Sequence, residues 1–256
     1  MSTIEVSAPV ASRLQRLNVG AAVLHAVQAV IVLVAANDFS LPVTSFFLND
    51  APNNDLDVSR LDRLFDVRIA YGLFGFLALS AIFHALVASP WGRSRYLADL
   101  SREQNRFRWV EYSLSSTLMI LMIALVFGIG DVAGLVGIAG ANVAMILFGW
   151  VMEVVNEPGK KVWWAPFWFG CIAGIAPWIG LFVYLLGPGS EMPNFVYGIF
   201  VSIFVFFNCF ALNQWLQYKR VGKWADYLFG ERVYLILSLT AKSALAWQIF
   251  GNTLAV

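Results

Sequence analysis

Apolar residues run along this chain in seven long blocks, roughly 18–36, 68–89, 107–128, 132–152, 163–187, 195–217 and 231–251. Each approaches the roughly 20 residues that an α-helix needs to cross about 30 Å of hydrocarbon. Most connections between blocks are short and polar, which makes sequential helices antiparallel neighbours in one bundle. The pattern predicts an all-α membrane protein, a seven-transmembrane-helix bundle occupying 1–256 as one domain. Glycines in several blocks and Pro177 in the fifth fit that prediction, because neighbouring groups in a membrane bundle re-satisfy freed backbone. Gly130, Gly134, Gly137 and Gly140, in and beside the fourth block, permit close helix approach.

One connection is long, about 37–67. Its β-favouring stretch Leu41–Leu48 and the turn signal Pro52-Asn53-Asn54 predict a β-hairpin there. A loop of this length usually covers a site or makes a partner contact. The first block ends in Val34-Ala35-Ala36, which resembles a signal-peptide cleavage site. It is too long for a signal-peptide core and holds His25 and Gln28, so it reads as a retained helix.

Composition and charge narrow the picture. Of the 256 residues 59% are hydrophobic and only 13% charged, against about 25% charged in soluble domains, which excludes a soluble globular protein. A net charge of +1 offers nothing to nucleic acid. Two lone cysteines, Cys171 and Cys209, lie in apolar blocks and read as packing residues, with no disulfide framework and no metal site. Thirteen of the 17 Lys and Arg fall on one side: Arg13, Arg16, Arg93, Arg95, Arg102, Arg106, Arg108, Lys160, Lys161, Lys219, Arg220, Lys223 and Arg232. Arg60, Arg63 and Arg68 fall on the other side. The excess of positive charge on the cytoplasmic side of membrane proteins then predicts a cell-membrane protein with its N-terminus in the cytoplasm and its C-terminus outside.

The remaining cation is Lys242, in the middle of the last block. A lysine near the centre of a membrane helix costs several kcal/mol and is by default a functional-site hypothesis. An amine in apolar surroundings favours its neutral form, which can attack a carbonyl, and this points to a Schiff base inside the bundle. Snorkelling to an interface is the alternative, but Lys242 lies about 11 residues, roughly 16 Å at 1.5 Å per residue, from the basic end of its block. Glu111, His25 and His84 sit in the same cytoplasmic half of their blocks. The Lys242 side chain leans toward its own helix N-terminus and hence toward Glu111. Spacing equally allows Glu111 to pair with Arg108, its i−3 neighbour. His25 and His84 suit a hydrated pocket that holds a proton; core histidines and axial haem ligands are the other readings. Ser238 stands one turn before Lys242, and Ser115 stands one turn after Glu111 on the same face. Met122, farther along that face, supplies no second carboxylate. The outer half of the bundle holds almost no ionisable group, with Asp131 at an interface, and this argues against proton pumping. Trp168, Trp178, Met145, Phe206, Phe207 and Trp247 lie mid-span and suit the wall of a long apolar chromophore, though aromatic residues fill any membrane bundle.

Seven helices, a lysine in the last and a carboxylate in the third make a retinal protein the leading class. The strings Arg108–Ser116 (RWVEYSLSS), Asn142–Trp150 (NVAMILFGW), Pro166–Gly174 (PFWFGCIAG) and Ser238–Phe250 (SLTAKSALAWQIF) resemble the heliorhodopsins over nearly the whole chain. An inverted topology with a cytoplasmic N-terminus is the hallmark of that family. Ordinary microbial rhodopsins carry an aspartate where Ser238 stands, and pumps often carry a carboxylate where Met122 stands. The resemblance implies all-trans retinal on Lys242 with Glu111 as counterion and Ser238 beside the Schiff base. It implies Met145, Trp168, Phe207 and Trp247 as chromophore walls, and Ser115, by its spacing from Glu111, joins the counterion. His25 and His84, with Arg108 and Tyr112, would form a cytoplasmic-side polar network that takes part in proton movement after photoisomerisation. The hairpin would join a homodimer contact within the lipid membrane.

The expected function is a light-absorbing sensor or regulator with a slow photocycle. Light isomerises retinal, the Schiff-base proton leaves toward the cytoplasmic cluster, and the bundle rearranges until it returns. A light-driven or passive proton or ion transporter is the alternative. A light-regulated enzyme is a second rival, but no catalytic nucleophile–base set stands outside the retinal pocket, so enzymatic activity is not expected. A cytoplasmic signalling partner has the basic inner loops to dock on, although the topology rule alone accounts for those loops.

Overall fold

The computed structural model describes residues 4–47, 61–189 and 191–255. Helix α1 (Ala8–Ala35) leads into strands β1 (Ser40–Phe46) and β2 (Leu61–Arg68), followed by α2 (Ile69–Ala88) and the short α3 (Pro90–Leu100). Helices α4 (Arg106–Val126), α5 (Val132–Val155), α6 (Ala165–Leu186), α7 (Asn194–Lys219) and α8 (Tyr227–Ile249) complete the chain, with a π-helical turn at Phe250–Leu254. Among the described residues, seven helices are long and apolar enough to cross a membrane, and α3 is not one of them. The predicted seven-helix bundle and hairpin are therefore both present. One end of the bundle carries the N-terminus and α3 and is called the N-terminal face below; the other is the hairpin face.

Two elements escape a reading based on long apolar runs. Helix α1 starts ten residues before its apolar block, with Pro9 in the first turn, where a missing N–H costs nothing. Its early turns carry Arg13 and Arg16 outward while Leu14 packs in a small cluster with Tyr96, Leu100 and Leu228. Helix α3 is amphipathic. The Ser89 hydroxyl caps it by accepting from the Gly92 N–H at 3.1 Å, and Pro90 opens its first turn.

The hairpin is antiparallel, running from Ser40 opposite Arg68 to Phe46 opposite Leu61, with an irregularity between Val43 and Thr44. Val43 points into the core, and the Thr44 N–H donates to the Gly130 carbonyl at 2.8 Å, which fixes the hairpin over the α4–α5 turn. That turn depends on Gly128, whose φ of 87° favours glycine. The predicted turn at Pro52-Asn53-Asn54 and residue Leu48 lie outside the described residues.

The main core fills the hairpin half of the bundle with Phe76, Leu77, Ile120, Ile123, Phe127, Leu181 and Ile203. The close helix approaches differ from the expected ones. A Cβ at Gly137 or Gly140 would meet nothing within 4 Å, because that face of α5 looks away from the bundle. Close contact is made instead by Gly149 against the Trp109 ring and by Gly72 against Met122.

Candidate functional site

On α4, Arg108, Glu111, Tyr112, Ser115, Ser116 and Met119 recur every three or four residues and form one buried face. On α8 the same spacing buries Glu231, Tyr234, Ser238 and Lys242, and on α2 it buries Ser80 and His84. These stripes converge. Lys242 is 3% exposed, and its Nζ lies 2.5 Å from Glu111 Oε1 and 2.7 Å from Ser80 Oγ. The Ser80 and Ser115 hydroxyls each donate to Glu111 Oε1 at 2.7 Å. A buried carboxylate thus meets one cation and two hydroxyls, and this compensation is what makes a buried charge tolerable. Ser238 is buried one turn before Lys242. Ser80 was not singled out from sequence; the available signal was its position one turn before His84 on the same face.

His25 and His84 stack with ring centroids 5.9 Å apart, and His84 Nδ1 meets Asn18 Oδ1 at 2.8 Å. Both His25 ring nitrogens and His84 Nε2 are buried without a protein partner. The two histidines therefore lie together in the same half of the bundle as Lys242 and Glu111, as expected. Tyr112 lies with its ring centroid 5.1 Å from Lys242 Nζ and donates its hydroxyl to the Tyr234 carbonyl.

Arg108 does not pair with Glu111. Its guanidinium lies between Glu153 and Glu231, donating to both. Glu153 also accepts from Trp109 Nε1 at 2.6 Å and from the Asn105 N–H at 2.8 Å. Glu231 accepts from Asn105 Nδ2 at 2.6 Å and from the Tyr96 hydroxyl at 3.2 Å. The Arg108 guanidinium also lies 4.0 Å from the Tyr234 ring centroid. Sequence reading missed both glutamates because they sit at or just beyond the ends of their apolar blocks, where a solvated end residue is the ordinary expectation. Burial by α3 and the α4 N-terminus changes that.

From Lys242 an apolar cavity of about 110 Å³ extends between α4, α5, α6, α7 and α8. One water needs about 10–15 Å³ in the same measure, so this space suits an organic ligand. Trp109, Tyr112, Met145, Phe167, Phe207 and Tyr234 are among its walls. Met145 and Phe207 thus stand where sequence placed them. Trp168 and Trp247 do not: they are 57% and 39% exposed and lie outside the cavity wall. On α6 the inward face runs through Pro166, Phe167, Gly170 and Gly174, which turns Trp168 outward toward lipid. The residues present fit retinal: one primary amine, paired with Glu111, closes one end, and the rest of the wall is mostly apolar, with Ser116, Gln214 and the two tyrosines as its polar members.

The family model for heliorhodopsin matches residues 14–254. No curated protein matches the chain. Among solved structures, cyanorhodopsin from the cyanobacterium Tolypothrix sp. superposes with a TM-score of 0.65 at 13% identity, covering 97% of this chain and 96% of that one. The transmembrane domain of Salpingoeca rosetta rhodopsin phosphodiesterase gives 0.65 at 14% identity, covering 94% and 84%. A light-driven proton pump from Leptosphaeria maculans gives 0.62 at 12% identity, covering 97% of each chain. At these identities the likeness is one of fold.

Proposed function

The chain belongs to the heliorhodopsin family, and we propose that it is a sensory or regulatory photoreceptor carrying all-trans retinal on Lys242. The observation that carries this reading is the one buried lysine amine among the described residues, 2.5 Å from the buried Glu111 carboxylate, at the end of an apolar cavity. When bound, retinal supplies visible-light absorption and a light-driven isomerisation. Lys242 holds it, and Glu111 balances the positive charge at the Lys242 nitrogen. Ser80 and Ser115 fix the carboxylate in place through their hydrogen bonds. Met145, Phe167 and Phe207, which line the cavity, would hold the apolar part of retinal and exclude water. A proton leaving the Lys242 nitrogen enters the polar half of the bundle, where His84 and Tyr112 stand.

Signalling is favoured over pumping by the hairpin half. Among the described residues the membrane helices carry no Asp, Glu, Lys, Arg or His there, so a proton has no ionisable station on the way out. The basic N-terminal face is assigned to the cytoplasm, with the C-terminus outside. The exposed apolar side chains of the hairpin, Phe46, Leu61, Leu64 and Phe65, suit a homodimer contact. No enzymatic activity is assigned to the chain.

The test is a visible absorption spectrum of the protein expressed with all-trans retinal, beside Lys242→Ala. A visible band present in the wild type and absent from the variant is expected; a correctly folded wild type without the band overturns the reading. Illumination under voltage clamp addresses the role, and a stationary photocurrent would replace the sensor by a transporter.

A further inference from the structure

Between Lys242 and the N-terminal face lies a second buried charge group with no part in light absorption. Arg108, Glu153 and Glu231 are 6%, 2% and 0% exposed. With both carboxylates ionised the group carries a charge of −1, so one proton would make it neutral. The Lys242–Glu111 pair has the complementary balance: it is neutral as it stands, and −1 once the Lys242 nitrogen has given up a proton. Passing one proton from the pair to the triad exchanges these charges and reduces the number of buried ions. Delivery to His25 or His84 would only move the buried cation and leave the number of buried ions unchanged. Both His25 nitrogens lack a hydrogen-bond partner, so no hydrogen bond from the protein would stabilise a cation there, and at His84 only Asn18 Oδ1 would.

A route joins the two groups. A cavity of about 30 Å³ is lined by Glu111 and Glu231 together, with His84, Arg108, Asn18 and Tyr96. This is room for about two waters, each of which needs two to four polar partners. Arg108 Nε and His84 Nε2, both buried and without protein partners, belong to residues of that wall. Glu153 does not border the cavity, whereas Glu231 does.

We propose that Glu231 is the acceptor of the proton released from Lys242 after illumination, reached through water held in this cavity, with Arg108 and Glu153 as positioning residues. The inference rests on the retinal reading above. The N–H bond at Lys242 breaks with its electron pair left on nitrogen, and an O–H bond forms at Glu231. The dark return reverses both changes, so no oxidant or reductant is needed.

The experiment is time-resolved infrared difference spectroscopy of the retinal-loaded protein, with visible absorption recorded in parallel. A carboxylic C=O band should rise as the deprotonated visible species forms, vanish in Glu231→Gln and return, shifted, in Glu231→Asp. A band that survives in Glu231→Gln overturns the assignment, as does the absence of any carboxylic band in the wild type. If Glu231→Gln does not fold, Tyr96→Phe removes one hydrogen bond to the same carboxyl and should move the band to higher frequency; an unmoved band overturns the assignment. A wild type with no visible band at all would fail the retinal reading itself, which separates the two failures.

Discussion

Replacing Arg108 by Met keeps an aliphatic side chain between α4 and α8 and removes the only charge that Glu153 and Glu231 share. Both carboxylates are then left buried without a countercharge, held only by neutral donors. Removing one partner of a buried ion pair costs about 3–5 kcal/mol. The guanidinium also stacks 4.0 Å from the Tyr234 ring centroid and 4.8 Å from that of Trp109, and such desolvated cation–π contacts contribute up to about 2 kcal/mol. Taking 3–5 kcal/mol at roughly 2–4 °C per kcal/mol for a chain of this size gives a fall in Tm of about 6–20 °C. The assay is thermal loss of folded protein in detergent, followed by tryptophan fluorescence so that it does not depend on a chromophore. Arg108→Met combined with Glu153→Gln and Glu231→Gln removes all the charges, and should recover at least half of the loss, because a neutral replacement of a buried charged group is often tolerated. A single variant that falls by less than about 2 °C, or a triple variant no more stable than the single one, would refute the reasoning.

Other expectations follow from the same geometry. Ser80→Ala removes one hydrogen bond to Glu111 and one acceptor from Lys242, so the visible band should move while Lys242→Ala abolishes it; absorption spectra decide. Gly149→Ala drives a methyl into the Trp109 ring and should cost about 1–3 kcal/mol, whereas Gly137→Ala faces open space and should leave Tm within about 1 °C. Phe207→Ala opens the cavity wall and should shift or weaken the visible band, while Trp168→Ala, on the outer face of α6, should leave it unchanged.

The parts of this molecule that sequence makes legible are those where polarity is expensive. Lys242 and Glu111 stand out because a charge inside an apolar run needs a reason, and the reason limits the partner. Helix direction then orders the depths of His25 and His84. The same logic is silent on Ser80, since a lone serine in a membrane helix can satisfy itself on its own backbone, as Ser80 also does toward the Phe76 carbonyl at 3.1 Å. It misleads on Trp168 and Trp247, because mid-span depth says nothing about which face of a helix looks inward. It misses Glu153 and Glu231 because a charge at the end of an apolar block looks solvated until the neighbouring chain is placed over it. Here that chain is α3 with the Asn105 cap of α4, an amphipathic segment too short and too polar to register as a span.

This distribution of charge bears on why a bundle with a pump-like fold would serve a different end. A pump must open Lys242 to one face for release and to the other for uptake. Among the described residues, the ionisable groups around Lys242 lie toward the N-terminal face: Glu111, His84, Tyr112 and, across a small polar cavity, Arg108 and Glu231. Toward the hairpin face the core is closed by Phe76, Phe127, Ile123 and Leu181, all of them essentially fully buried. On the proposed reading, a proton released from Lys242 leaves and returns on the same side, and illumination under voltage clamp is expected to show no stationary photocurrent. With Glu231 as the proposed acceptor, the charge that changes is on a carboxylate bonded to Tyr96 of α3. Neutralising Glu231 would weaken its hydrogen bonds with Arg108 and with Tyr96 of α3 together.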